Sequence, residues 1–350
     1  MVALAVAAVL AVAAPGCRTI AVAASIQAAV DEAQPCDWVL VPPGLYEESV
    51  VVSTPTVHLH GLNRNTVVVE GGVDVEADGV SVENLTVRGG PVRWGAVRAW
   101  KGSYLTVYAT DPAAPRGLSA EAGAEGAWDH VYAGGFAEAG IVCDACRATL
   151  AHALVERNAV GVSATGRLAV RDSLVRLNGF GVRFTVTGSA IRTSRVEQND
   201  RIGIELDATT GAVAANNVVL ANRTFGIVGH EGTADPFAQL VGNRIVRNVV
   251  RGSRYDLALE GGLHGTMSSA GNCVAGNLVR TKLPANLTPW RCGSGSTPNP
   301  DPAASDTIFT LVQRLLAAAH PMKLQPAPRP QPTLPNPCSG VPASGLCTRH

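Results

Sequence analysis

The chain has 350 residues and carries 28 basic against 28 acidic side chains, so its formal net charge is zero. That balance excludes the basic footprint of a nucleic-acid binder. Charged residues make up only 16%, aromatics 5% and glycine 37 positions, which points to a thin Ala/Val/Leu/Ile core with many turns. One compact core rarely serves this length, leaving several domains or one elongated repeat, and no apolar run is long enough to span a membrane.

In chain order, residues 1–14 are apolar and lead into Pro15, Gly16, Cys17 and Arg18. This pattern reads as a signal peptide over 1–16 and hence a secreted or cell-surface protein. Cys17 also occupies a lipoprotein-like position. The cysteines are even in number, however, at 17, 36, 143, 146, 273, 292, 338 and 347, and acylating one would leave an odd thiol, so disulfides are the simpler reading. Eight cysteines allow many connectivities, and the expected pairs are the ones that close local loops, Cys17–Cys36, Cys143–Cys146, Cys273–Cys292 and Cys338–Cys347. A redox or zinc role for Cys143 and Cys146 lacks the βαβ context or second ligand pair it needs.

Residues 17–36 read as an N-terminal cap, with Ser25 starting a helix over 25–34 whose apolar stripe is Ile26, Ala29, Val30 and Ala33. From Asp37 the pattern turns to strands, among them 80–87 and 105–107. A repeat then emerges: Val155, Val175, Val196, Val219, Ile245 and Val274 each stand three residues before an asparagine, at Asn158, Asn178, Asn199, Asn222, Asn248 and Asn277. The asparagines are 20, 21, 23, 26 and 29 residues apart, and the first five are followed by Gly161, Gly181, Gly203, Gly226 and Gly252. A β-branched residue at fixed phase marks an inward strand position, and asparagine tolerates left-handed corners and bonds to neighbouring backbone. Units this short cannot bury their own apolar face, so they must stack as a solenoid, predicted here over 37–292 with nine or ten coils between 37 and 283 and one asparagine ladder. The glycines are expected to reopen each turn.

Residues 293–305 read as a flexible linker. Asp306 is expected to cap a helix over 306–320 that buries Ile308, Leu311, Val312, Leu315 and Leu316 on the solenoid. Residues 321–350 form a proline-rich tail ending in the Cys338/Cys347 loop.

Coils of about 20 residues with Asn turns and Val/Ile phases resemble the right-handed parallel β-helix of pectate lyases and polygalacturonases. The stretch from Ser25 through Pro43-Gly44-Leu45-Tyr46 to Gly61 and Val67-Val68-Val69 is similar to the opening of secreted bacterial β-helix repeat proteins. The resemblance implies an all-β, right-handed parallel β-helix with a short N-terminal capping helix. Trp128-Asp129-His130 is similar to the Trp-x-Asp-His element of pectate lyases without its intervening residue, which implies calcium at Asp129 only if the chain is a lyase. His130 falls where other copies carry Ser or Asn, so a turn hydrogen bond is the plainer expectation, and Trp128 reads as a packed surface aromatic. Gly229-His230-Glu231 and Leu263-His264-Gly265 partly match the Gly-His-Gly of polygalacturonases, whose Asp-Asp pair is missing. His230, Glu231 and Asp235 share a longer connection over 229–236, and Asp200, Glu205 and Asp207 are scattered nearby.

Asp129, His130, His230 and Glu231 are therefore the candidate catalytic residues, with no cofactor evident otherwise. The catalytic set is incomplete against the repeat, so the sequence favours an extracellular scaffold that binds polysaccharide or another surface partner along an exposed sheet. The alternative is a polysaccharide lyase, hydrolase or epimerase.

Overall fold

The computed structural model describes residues 16–185, 188–232, 239–260, 271–287, 302–323 and 325–348. The expected signal peptide, Cys292 and most of the 293–305 linker lie outside the described residues.

Each coil lays down three short strands in turn, as in Arg147–Ala151, Leu154–Glu156 and Val160–Ala164, before Arg167–Arg171 begins the next. Every strand pairs in parallel with the equivalent strand one coil away, in register apart from a bulge between Arg98 and Trp100. The result is a right-handed parallel β-helix with three faces, called here sheets A, B and C in the order the chain visits them. Among the described residues they hold 12, 10 and 11 strands, and from Trp38 to Leu259 the chain completes ten three-strand coils, within the nine or ten expected. The interior is a continuous column of Val, Ile, Leu and Ala, with Val155, Val175, Val196 and Val219 fully buried, as their phase predicts.

Sharp corners separate the faces. Between A and B the corner residue is left-handed in successive coils, at Tyr104, His130, His152, Asp172, Thr193 and Asn216. Between B and C, Asn158, Asn178, Asn199 and Asn222 are buried and stacked. The Nδ2 of each of the first three donates to the Oδ1 of the next, at 3.0, 3.1 and 2.8 Å. The same Oδ1 also accepts from the backbone N–H of the preceding asparagine.

The single ladder of six expected from the sequence is corrected here. Asn248 and Asn277 stand one corner earlier, between A and B, where Asn217 donates to Asn248 and Asn248 to Asn277, both at 2.9 Å. The coil linking Asn217 to Asn248 is 31 residues long, so the 26-residue step from Asn222 falls short of a full turn. A third stack, Asn243 on Asn272, lies between C and A.

The glycines also play another part than expected. Gly161, Gly181 and Gly203 sit in sheet C strands with ordinary backbone angles. A Cβ on Gly181 would lie 2.4 Å from the Gly203 carbonyl oxygen and 2.8 Å from Asn199 Nδ2. They are small because the amide ladder passes against them, whereas Gly252 is itself a left-handed corner at φ 81°.

Helix α1, Ile26–Glu32, closes the first coil, capped by Ser25, whose Oγ accepts from Ala28 N–H. Glu48 accepts from Ile26 N–H at 2.7 Å and Gln27 N–H at 3.0 Å, filling the helix's free donors. A strand at Thr19–Ala21 already pairs with Trp38–Val41, so sheet A begins inside the expected cap. Cys17–Cys36, Cys143–Cys146 and Cys338–Cys347 are disulfides. Cys273 is disulfide-bonded too.

Helix α2 spans Pro302–Ala317, so Asp306 lies within it rather than at its cap. Proline suits a first helical turn, which explains the earlier start. Ile308 and Val312 are buried against Phe180, Ile202, Phe225, Val228 and Ala258 on the outer face of sheet C. Arg201 donates to the carbonyls of Leu315, Ala318 and Ala319 at 2.8–2.9 Å, closing the helix C-terminus. The tail then returns to the first coils, where Gln331 N–H donates to Asn65 Oδ1 at 2.8 Å and His60 Nε2 meets the Pro337 carbonyl at 2.8 Å.

Asn178→Ala leaves buried partners above and below it unsatisfied, each worth about 1–3 kcal/mol. Urea unfolding is expected to show a loss of at least about 2 kcal/mol, while Arg192→Ala, at an exposed strand position, changes stability by less than about 0.5 kcal/mol.

Candidate active site

Parallel register converts the glycine frame into columns of outward side chains on sheet C. Two residues after Gly181 and Gly203 stand Arg183 and Glu205, and four after Gly203 and Gly226 stand Asp207 and His230. Arg183 pairs with Glu205 and Asp207 with His230 across neighbouring strands. The strands Phe225–His230 and Tyr255–Leu259 both end at this cluster, and Glu231 and Glu260 follow them directly. Loops carried by a rigid scaffold are where functional groups concentrate.

The cluster is buried and highly charged. His230 Nε2 meets Glu205 Oε1 at 3.0 Å, and its Nδ1 donates to the Glu231 carbonyl at 2.8 Å. Arg183 donates to Asp207 at 2.8 Å and its Nε lies 3.4 Å from Glu205 Oε2. His230, Glu205 and Glu260 are fully buried, while 24% of the Arg183 side chain reaches solvent. Glu260 Oε2 accepts from Glu231 N–H at 2.7 Å. Its Oε1 has no hydrogen-bond partner among the described residues.

These surroundings push ionisation in opposite directions. Burial opposes charge on Glu205, but the hydrogen bond from His230 and the charge of Arg183 outweigh it and hold the carboxyl below its usual range. Burial likewise opposes the His230 imidazolium, yet Glu205 and then Asp207 lift it to about 9. At Glu260 burial prevails over the Glu231 N–H and the charge of His230, and its pKa rises to about 7. One face thus holds an ionised carboxylate, a carboxylic acid protonated near neutrality and two cations.

Of the sequence candidates, His230 and the Glu231 backbone are part of this cluster. Arg183 and Glu260 were missed, and Glu205 and Asp207, seen only as scattered acids, converge on His230. Asp200 does not join them and pairs with Arg223 at 3.1 Å. Asp235 and His264 lie outside the described residues.

Asp129 and His130 stand elsewhere, on the A–B corner. His130 Nδ1 lies 2.9 Å from Asp129 Oδ2, and His152, one coil on, places its Nδ1 2.7 Å from Oδ1. His130 therefore bonds to a side chain and not to the turn backbone, because it sits one residue before the buried Ser/Asn column. Burial opposes charge on Asp129, but His152 and His130 outweigh it and keep the carboxyl below its usual range. A pair of imidazoles does not fit calcium, which takes 6–8 oxygen ligands. Trp128 is fully buried inside the solenoid beside Trp94 and Trp100, correcting the surface reading.

No family model matches the sequence, and no curated protein sequence matches it. Solved structures share the fold. A PL6-family alginate lyase, AlyGC, aligns with a TM-score of 0.56 and 12% identity over 81% of this chain and 46% of its own. The Dettilon tailspike protein aligns at 0.51 and 13% identity over 73% and 64%. A tetrasaccharide complex of the GH87 α-1,3-glucanase catalytic domain aligns at 0.50 and 8% identity over 83% and 69%. The chain thus spans less than half of the alginate lyase and under two thirds of the tailspike. Its fold is the right-handed parallel β-solenoid that these structures share.

Because folded Glu260 holds its proton to about pH 7 and an unfolded glutamate only to about 4.3, stability falls as pH rises between these values, and the whole cost is present above 7. Glu260→Gln keeps an acceptor for Glu231 N–H and removes that cost. Denaturation at pH 8 is expected to show the variant more stable by on the order of 3 kcal/mol, with little difference at pH 4.

Proposed function

We propose that this chain is a polysaccharide-active enzyme whose acid–base chemistry takes place on the outer face of sheet C. The observation that carries this reading is the joint burial of an ionised Glu205 and a protonated Glu260 beside Arg183 and His230. Two carboxyl groups with ionisation driven apart supply a proton donor and a base or charge stabiliser, which is what breaking or inverting sugar linkages requires.

Glu260 acts as the acid. Glu205 acts as the base or stabilises positive charge, oriented by His230 and Arg183, and Asp207 holds Arg183 in place. The exposed part of Arg183 meets substrate arriving along sheet C from the earlier coils, past Ser163 and Val142. The fold is shared with an alginate lyase and an α-1,3-glucanase, which supports a polysaccharide substrate. The disulfides agree with an oxidising, extracellular compartment. Helix α2 covers the apolar half of the same face, so turnover requires it to move aside.

Incubation of the full chain with alginate, pectate and α-1,3-glucan, followed by unsaturated uronate ends, reducing ends and sugar epimer content, tests the reading. Turnover of at least one polymer is expected, with loss of about 100-fold or more in Glu205→Gln and in Glu260→Gln at wild-type folding. The rate is expected to fall above pH about 7 as Glu260 loses its proton, and Val312→Asp, which loosens α2, is expected to raise kcat/KM. Binding of a polymer without any turnover would leave only the scaffold reading.

A further inference from the structure

The three polar side chains on the A–B corner are not used by the sheet C chemistry and have a geometry of their own. Asp129 ends the strand Glu125–Asp129, and His130 and His152 occupy the same corner in consecutive coils. Both histidines are left-handed, at φ 53° and 50°, and their rings stack at 4.5 Å with 28° between planes. Tyr104, one coil earlier, stacks on His130 at 4.7 Å and holds that ring from the other side. Strand pairing therefore fixes both rings, as a rigid site requires.

We propose that Asp129, His130 and His152 bind a divalent first-row transition-metal ion. One ligand atom from each lies within 4.8 Å of the others. The separations from Asp129 to His152 Nδ1 and to His130 Nδ1, 2.7 and 2.9 Å, are close to the roughly 3 Å between neighbouring ligands on an ion with bonds of about 2.1 Å. Each imidazole binds the ion through the Nδ1 lone pair as the neutral tautomer with its proton on Nε2, so contacts to the ion replace the Nδ1 contacts to Asp129. Two imidazole nitrogens and one carboxylate form a donor set suited to zinc, iron, cobalt, nickel or copper, and unsuited to calcium.

All three side chains are partly exposed, so an ion has access. Both histidines line an open groove of about 630 Å³ that also includes Leu154, Asp172, Arg195 and Val218. The remaining coordination positions face this groove and are filled by water or an anionic ligand. The site stands independently of the reading of sheet C.

Cobalt(II) titration of the tag-free full chain, followed by visible absorption and calorimetry, tests the proposal. One ion per chain is expected, displaced by zinc and not by about a 100-fold excess of calcium. Affinity is expected to fall at least about tenfold in His152→Asn and in Asp129→Asn, and to stay unchanged in His320→Ala. Asparagine suits the left-handed corner, and the melting curve of each variant confirms that it folds. Stoichiometry well below one, wild-type affinity in both folded variants, or displacement by calcium as effective as by zinc would overturn the assignment.

Discussion

Hydrogen bonding between successive coils, in parallel and in register, is the constraint from which the other features follow. It places like positions about 4.8 Å apart, so each side chain has for neighbours the residues one coil before and after it. Apolar positions become a continuous interior, and buried asparagines become ladders in which every amide is both donor and acceptor. The same spacing forces glycine wherever the ladder presses on a neighbouring strand. The fold tolerates many left-handed residues because ladder bonds and core packing hold each corner in place.

That constraint also explains how charge comes to be buried on sheet C. Removing ions from water is costly, and a buried pair is a weak source of stability. The arrangement of Glu205, His230, Arg183 and Asp207 lessens this cost by mutual pairing, yet leaves Glu260 with an oxygen that bonds to nothing described. Titratable groups shifted this far cluster at functional sites. Helix α2, packed on the same strands, agrees with that interpretation.

The fold was largely legible in the sequence because a solenoid writes its period into every coil. The Val/Ile phase and the first four asparagines gave the B–C corner directly. Asn248 and Asn277 were misplaced because a longer coil shifts the same six-residue motif to another corner, and local pattern cannot show how far a loop carries the chain. The candidate site was less legible. His230 stood out by its glycine neighbour, but Arg183 and Glu205 emerge only when the offset from the glycine frame is extended by two residues. Glu260 follows Leu259 at the end of a strand and carries no motif. His152 was recoverable as the residue one coil, 22 positions, beyond His130. Trp128 looked like a surface residue because its large ring follows Ala127 in a polar stretch, whereas strand alternation turns it inward.

The account rests on two residues 25 positions apart forming one buried ion pair through coil stacking, and an NMR titration of the His230 imidazole tests this most directly. The account predicts that His230 remains protonated through neutral pH, titrating at about 9, and that Glu205→Gln lowers this value markedly. Titration near 6.5 in the native protein, unchanged by Glu205→Gln, would contradict it.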